Sequence, residues 1–122
     1  CTAAFTQRAG IRALQSSMEP TREMVHTYRT RRYIMVDGLN EIRGIRCLKP
    51  RGAFSAFPNI TGTGYRSQEL ADMLMEEAHV AVLPGTAFGE HGEGYLRLSY
   101  ASSQGNIEEA LDRMQSFLGS GG

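Results

Sequence analysis

With 122 residues the chain has room for one domain on a single two-layer core, and its composition, 41% hydrophobic and 21% charged, is that of a soluble globular protein. Thirteen basic residues balance thirteen acidic ones, so nothing electrostatic favours a nucleic acid or an anionic membrane as partner. Two cysteines, Cys1 and Cys47, make no disulfide framework and are too few and too far apart for a zinc set.

No apolar run approaches the ~20 residues needed to span a bilayer, and no secretory signal is visible, so a cytoplasmic chain is expected. A start at Cys1 rather than Met suggests a fragment of something longer, and residues 119–122, GSGG, read as a flexible tail. Residues 3–16 place Phe5, Ala9, Ala13 and Ser16 at helical spacing, with Ile11 and Leu14 adding apolar surface. Gly10 costs that helix roughly 1 kcal/mol against alanine. Glu19-Pro20-Thr21 opens a second helix, with Pro20 suited to its first position. It runs to about Ile42 along a stripe of Met24, Tyr28, Met35, Leu39 and Ile42. Arg29, Arg31 and Arg32 on this helix read as its solvated side in preference to a phosphate patch, because the chain as a whole is not basic.

Residues 45–48 read as a short strand, Lys49-Pro50-Arg51-Gly52 as a turn, and residues 53–57 as the antiparallel partner, ended by Pro58. A polar loop over 59–65 follows. Ser67 is then expected to cap a helix over 67–78 that turns Leu70, Met73, Leu74 and Ala78 inward. His79, after Glu76 and Glu77, sits where a donor suits the last carbonyls of that helix, a better reading than a metal ligand. Residues 80–83 form a short apolar strand, and a loop with Gly85, Gly89, Gly92 and Gly94 leads to a strand over 95–100. The final helix runs from Asn106 to about Leu118, with Asn106 and Glu109 spaced as a capping box and Ile107, Ala110, Leu111, Met114 and Leu118 as its buried stripe. The order α-α-β-β-α-β-β-α predicts a two-layer α/β (α+β) fold. Its sheet is small, mixed but mostly antiparallel, with about four short strands and the helices packed on one face.

Little of this carries chemistry. The glycine-rich loop is neither a Walker loop nor a dinucleotide fingerprint, since no Gly-Lys-Ser/Thr follows it and it leads into a strand. Its four glycines in ten residues allow a close backbone approach to a ligand. His91 between Glu90 and Glu93 lacks the paired cysteines that would make a zinc deaminase motif, and Cys47 has no neighbour that would lower its pKa. The strand 95–100 alternates strictly: Leu96, Leu98 and Tyr100 belong to a core face, and Tyr95, Arg97 and Ser99 to the other. Arg97 therefore puts a guanidinium mid-strand, where it is either a solvated or ion-paired structural residue or a grip for a carboxylate or phosphate.

The segments LPGTAFGEHGEGYLRLSYA (83–101), RRYIMVDGLNEIRGIRCLKPRGAFSAFPNI (31–60) and SQELADMLMEEAHVAVLPG (67–85) resemble the C-terminal region of the class I/II, aspartate-aminotransferase-like enzymes of fold type I. The similarity covers nearly the whole chain in the family's order and spacing. It implies the C-terminal small domain, residues 19–118, preceded by a helix over 1–18 left from the hinge side of a larger domain. It implies pyridoxal 5'-phosphate as cofactor of the full-length enzyme, an amino acid and a 2-oxo acid as substrates, and a homodimer.

In that family the Schiff-base lysine lies in the large domain. The one lysine here, Lys49 beside twelve arginines, has no serine-lysine signature around it. No catalytic residue and no cofactor or metal ligand is therefore expected in this chain, which alone should be inert. Arg97 matches the arginine that binds the substrate's α-carboxylate, Phe54 and Ser55 match a strand bordering the cleft, and Phe88 a loop over it. The family more often has an aromatic residue at the Ser55 position. A decarboxylase, lyase or synthase of the same fold fits the resemblance too. A rival reading is a free-standing regulatory or interaction module that binds an amino acid or a partner protein through the Arg97 face.

Overall fold

A computed structural model describes residues 1–120. Its helices are α1 (Ala4–Gln15), α2 (Glu19–Glu41), α3 (Ser67–Glu76) and α4 (Gln104–Ser120). Three short strands, β1 (Ser55–Ala56), β2 (Leu83–Pro84) and β3 (Leu96–Ser99), form an antiparallel sheet in the order β1-β3-β2. The two-layer α/β architecture is as expected, with three described strands where about four were anticipated, all of them antiparallel.

β3 is central because its alternation serves both layers. Leu96, Leu98 and Tyr100 are buried, while Tyr95, Arg97 and Ser99 face the other way. Against the buried face pack Met35, Val36 and Leu39 of α2, Leu70 and Leu74 of α3, and Ile107, Leu111 and Met114 of α4. Ala110 and Leu118 close the margin of this core. In the α2 stripe, Met35, Leu39 and Ile42 are buried, Tyr28 is half-buried, and Met24 is exposed. Every residue of α2 before Tyr28 is exposed, because that end of the helix runs beyond the sheet.

The predicted hairpin does not form. Residues 54–59 run instead along residues 95–100: Tyr100 N–H donates to Phe54 O, Ser55 faces Ser99, Ala56 faces Leu98, Leu96 N–H donates to Pro58 O, and Asn59 bridges Tyr95. The predicted strand 45–48 is reduced to one bridge, Arg46 with Asn59. A side chain takes the place of the missing ladder. Asn40 accepts the Cys47 N–H at 2.9 Å and donates to Cys47 O at 3.0 Å and to Val36 O at 2.9 Å, so the next peptide is satisfied from α2. Burial pushes the Cys47 thiol above its ordinary pKa, as suits an inert core residue. The turn segment folds back on the helices: Arg32 Nη1 donates to Pro50 O at 3.0 Å, and the Tyr100 hydroxyl donates to Ala53 O at 3.0 Å.

The helix ends also differ from expectation. Ser67 is the first residue of α3 and not its cap. Arg66 precedes it, with its N–H donating to Glu69 Oε2. The helix stops at Glu76, and His79 adopts a left-handed φ of 56°, which turns the chain so that Val80 N–H reaches Leu74 O. Residues 80–82 pass without pairing, and the strand is Leu83–Pro84. At α4 the helix begins two residues before Asn106; the Ser103 hydroxyl accepts the Asn106 N–H at 3.2 Å, while Glu109 pairs with Arg113. Gly119 and Ser120, expected in a flexible tail, belong to α4, and the rest of that tail lies outside the described residues.

Helix α1 touches no core. None of its residues is buried, and Phe5 and Leu14 are 78% and 90% exposed. A 12-residue helix with no buried residue is marginal in water. Its amides are expected to exchange within seconds in a verified monomer, while those of Leu39 and Leu70 stay protected. Strong protection across residues 4–14 in that monomer would contradict the isolation of this helix.

Candidate functional site

The site starts from the register of β1 on β3. Ser55 opposite Ser99 and Ala56 opposite Leu98 place residue 57 opposite Arg97 on the face away from the core. Arg97 is half-buried there. Its Nε donates to Ser55 Oγ at 3.3 Å, and the guanidinium carbon lies 4.9 Å from the centroid of the Phe88 ring. Phe88 meets Phe57 edge-on at 6.1 Å, and Phe57 stacks on Tyr95 at 5.3 Å with 17° between the planes. The arginine thus has a hydroxyl on one edge, an aromatic face beside it, and an aromatic rim of three rings.

A structural ion pair would require a carboxylate on Arg97, and none among the described residues provides it. Glu90 lies 3.4 Å from His91, both near full exposure. Glu93 turns to α3: its Oε1 accepts the Ser67 N–H at 2.9 Å, and Arg66 stands 4.0 Å from its other oxygen. With Nε engaged by Ser55, the two Nη groups form an end-on fork that meets no hydrogen-bond partner or carboxylate among the described residues. That is the arrangement that takes a carboxylate bidentately.

Ser67 and Glu93 hold the loop that carries Phe88. The Ser67 hydroxyl is fully buried, accepts from the Gly94 and Tyr95 amides at 2.8 and 3.1 Å, and donates to Gly92 O at 3.3 Å, which uses its full capacity. The bond from Ser67 N–H, first among the causes, holds the Glu93 carboxyl below its ordinary pKa, with the Gly94 amide and Arg66 adding to it against some desolvation. A lowered folded-state pKa adds stability that is fully present above the unfolded value of about 4.3 and is lost as pH falls through the folded value. Glu93→Gln is therefore expected to lower the urea midpoint at pH 7, and the gap to the parent should close on acidification below about pH 4. An unchanged gap across that range would mean that the carboxylate charge is not what holds the loop.

Of the four residues predicted for the site, Arg97, Ser55 and Phe88 come together. Phe54 does not; it lines a separate cavity beside Tyr28, Arg51 and Tyr100, on the core-side edge of the sheet. Phe57 and Tyr95 belong to the site and were not singled out. Tyr95 shares the face of Arg97 by alternation, but the part played by Phe57 depends on a register that the sequence does not display. The glycines of the loop serve the loop itself: a Cβ on Gly92 would collide with Gly85 O, and one on Gly85 with Gly92 O. Arg31 and Arg32 are not merely solvated. They lie 5.8 Å from the Tyr28 ring and 5.3 Å from the Tyr33 ring respectively. Among the described residues no three His, Cys, Asp or Glu side chains gather as a metal site, and no helix is long and apolar enough to cross a membrane.

Residues 1–114 match the family described as aminotransferase class I and II. The chain belongs to that family. This aminotransferase chain is 48% identical to the aspartate aminotransferase of Pyrococcus horikoshii over 118 residues, covering 95% of this chain and 30% of the relative. It is 43% identical to aromatic-amino-acid aminotransferase 2 of Thermococcus litoralis, covering 97% and 31% respectively. Among solved structures, the aromatic aminotransferase of Pyrococcus horikoshii superposes with a TM-score of 0.94 at 41% identity, over 98% of this chain and 32% of that one. The aspartate aminotransferase of Rhizobium meliloti superposes with a TM-score of 0.91 at 32% identity, over 98% and 32%. The aminotransferase chain thus spans about a third of the length of the relatives it matches.

Family membership implies pyridoxal phosphate for the full-length enzyme. The residues here do not by themselves fit that cofactor. Lys49, the only lysine in the sequence, stands 4.8 Å from the Tyr33 ring, on the α2 side of the domain and not among the contacts of Arg97. Around Arg97 the donors are a guanidinium and a serine hydroxyl, suited to a carboxylate and not to carrying the cofactor covalently.

Proposed function

We propose that this chain is the C-terminal small domain of a pyridoxal-phosphate-dependent aminotransferase of the aspartate-aminotransferase-like subgroup. Its part in the transfer of an amino group from an amino acid to a 2-oxo acid is to bind the substrate's α-carboxylate through Arg97. The observation that carries this reading is the half-buried guanidinium that no carboxylate among the described residues pairs with. Every amino-acid and 2-oxo-acid substrate has that carboxylate, and a two-point grip fixes both its position and its rotation before the chemistry begins. Ser55 orients the guanidinium through Nε, and Phe88, Phe57 and Tyr95 keep water from one side of the grip.

On this reading residues 19–118 are the small domain, and residues 1–18 belong to the side facing a larger domain. The full-length enzyme works as a homodimer in the cytoplasm. The chain alone is inert. Titrated with pyridoxal phosphate and reduced with borohydride, it should give no stoichiometric adduct and no transamination. When it replaces the matching third of the Pyrococcus horikoshii aspartate aminotransferase, the chimera should transaminate. An adduct on Lys49 with turnover by the chain alone would overturn the reading. So would a folded, cofactor-loaded chimera without activity.

A further inference from the structure

A second group of arginines lies away from Arg97. Arg29, Arg32 and Arg51 surround a cavity of about 350 Å³ whose walls include Tyr28, Phe54 and Tyr100. None of the three arginines has a carboxylate partner among the described residues; the ion pairs present involve Arg22, Arg66, Arg113 and His91. Arg32 is the best defined of them. Its Nη1 is fixed on Pro50 O at 3.0 Å, while its Nε is sealed from water without any hydrogen-bond partner. That leaves the Nε–Nη2 edge unused, and this edge is one that a carboxylate engages with two parallel bonds. A ligand that displaces the guanidinium far enough to uncover Nε would satisfy a group left unmet among the described residues.

The walls select the ligand further. Tyr28 and Tyr100 meet edge-on with centroids 6.3 Å apart, the Tyr100 ring is buried, and Phe54 is 48% exposed over the mouth. A bare inorganic anion would leave the exposed parts of Phe54 and Tyr28 uncovered, whereas a ring carried behind a carboxylate would cover them. We propose that the cavity lined by Arg29, Arg32, Arg51, Tyr28, Phe54 and Tyr100 binds a small aryl carboxylate, at a site separate from the Arg97 grip.

The test is a titration of the ¹⁵N-labelled 122-residue chain with phenylacetate, with acetate and inorganic phosphate as comparison probes. Saturable shifts are expected for the Gly52, Ala53 and Tyr100 amides with phenylacetate, and weaker ones with the other two. The double variant Arg29→Gln/Arg51→Gln changes only exposed residues, so it should fold as the parent does and bind at least about tenfold more weakly. Arg32→Met should lose binding altogether, and Arg97→Ala should bind like the parent. Absence of saturation, equal binding of acetate or phosphate, unaltered affinity in the double variant, or loss of the shifts in Arg97→Ala would each overturn the proposal.

Discussion

Arg97→Ala, introduced into the full-length enzyme, is expected to reduce kcat/KM for the amino acid by about 2–5 kcal/mol of transition-state binding, with the thermal midpoint nearly unchanged. The size follows from what is lost. A charge-assisted two-point contact disappears, and a substrate carboxylate is left in an aromatic-rimmed site without its counter-charge. The small effect on stability follows from the same geometry. Among the described residues the Arg97 side chain makes one hydrogen bond of 3.3 Å to Ser55, one ring contact with Phe88 and no ion pair. Arg97→Lys should recover only part of the loss, because an ammonium keeps the charge but cannot present two parallel donors. The opposite result, a midpoint lowered by many degrees with kcat/KM near normal, would show that Arg97 holds the sheet and not the substrate.

Why this residue was legible in the sequence while its neighbourhood was not comes down to the range of the interactions. Leu96, Leu98 and Tyr100 alternate with Tyr95, Arg97 and Ser99 over a stretch short enough for the period of two to be unmistakable, and the buried and exposed faces follow it. The same period, applied to Phe54 and Ser55, places neighbours on opposite faces of a strand, and it is Ser55 that shares the face of Arg97. That separation was legible in the sequence.

The absence of the hairpin was not. Lys49-Pro50-Arg51-Gly52 is a sound local turn signal, but the backbone of residues 54–59 finds a complete partner in residues 95–100, and Asn40 satisfies Cys47 from the helix side. Partners some forty residues away outweigh a turn preference worth little by itself. Ser67 shows the same rule at a single side chain. It is a good cap by type, yet its hydroxyl is taken by Gly92, Gly94 and Tyr95, and Phe57 enters the site only through the register so formed.

The largest effect on the fold itself is expected from Gly92→Ala. A Cβ at Gly92 would meet the carbonyl of Gly85 and stand 2.8 Å from Thr86 N, and the space is closed by backbone that cannot swing aside as a side chain would. The two strands of the loop must then separate. That strains the Gly85 N–H bond to Tyr95 O at 2.8 Å and the Ser67 hydroxyl bond to Gly92 O, both of which tie the loop to the domain. Overpacking of this kind costs about 1–3 kcal/mol, and each buried bond left unmade adds about 1–3 kcal/mol more. A suitable comparison is Gly105→Ala in the first turn of α4, where an added Cβ meets nothing within 4 Å. There the backbone gains helix propensity, and stability should rise by up to about 1 kcal/mol. Urea midpoints of the two variants should therefore move in opposite directions. Because Phe88 rides on the strained loop, Gly92→Ala should also weaken the Arg97 grip in the full-length enzyme, and Gly105→Ala should leave kcat/KM as it is. A Gly92→Ala chain that unfolds at the parent's midpoint would mean that the two loop segments do not pack backbone to backbone, and that the ring beside Arg97 is held by something else.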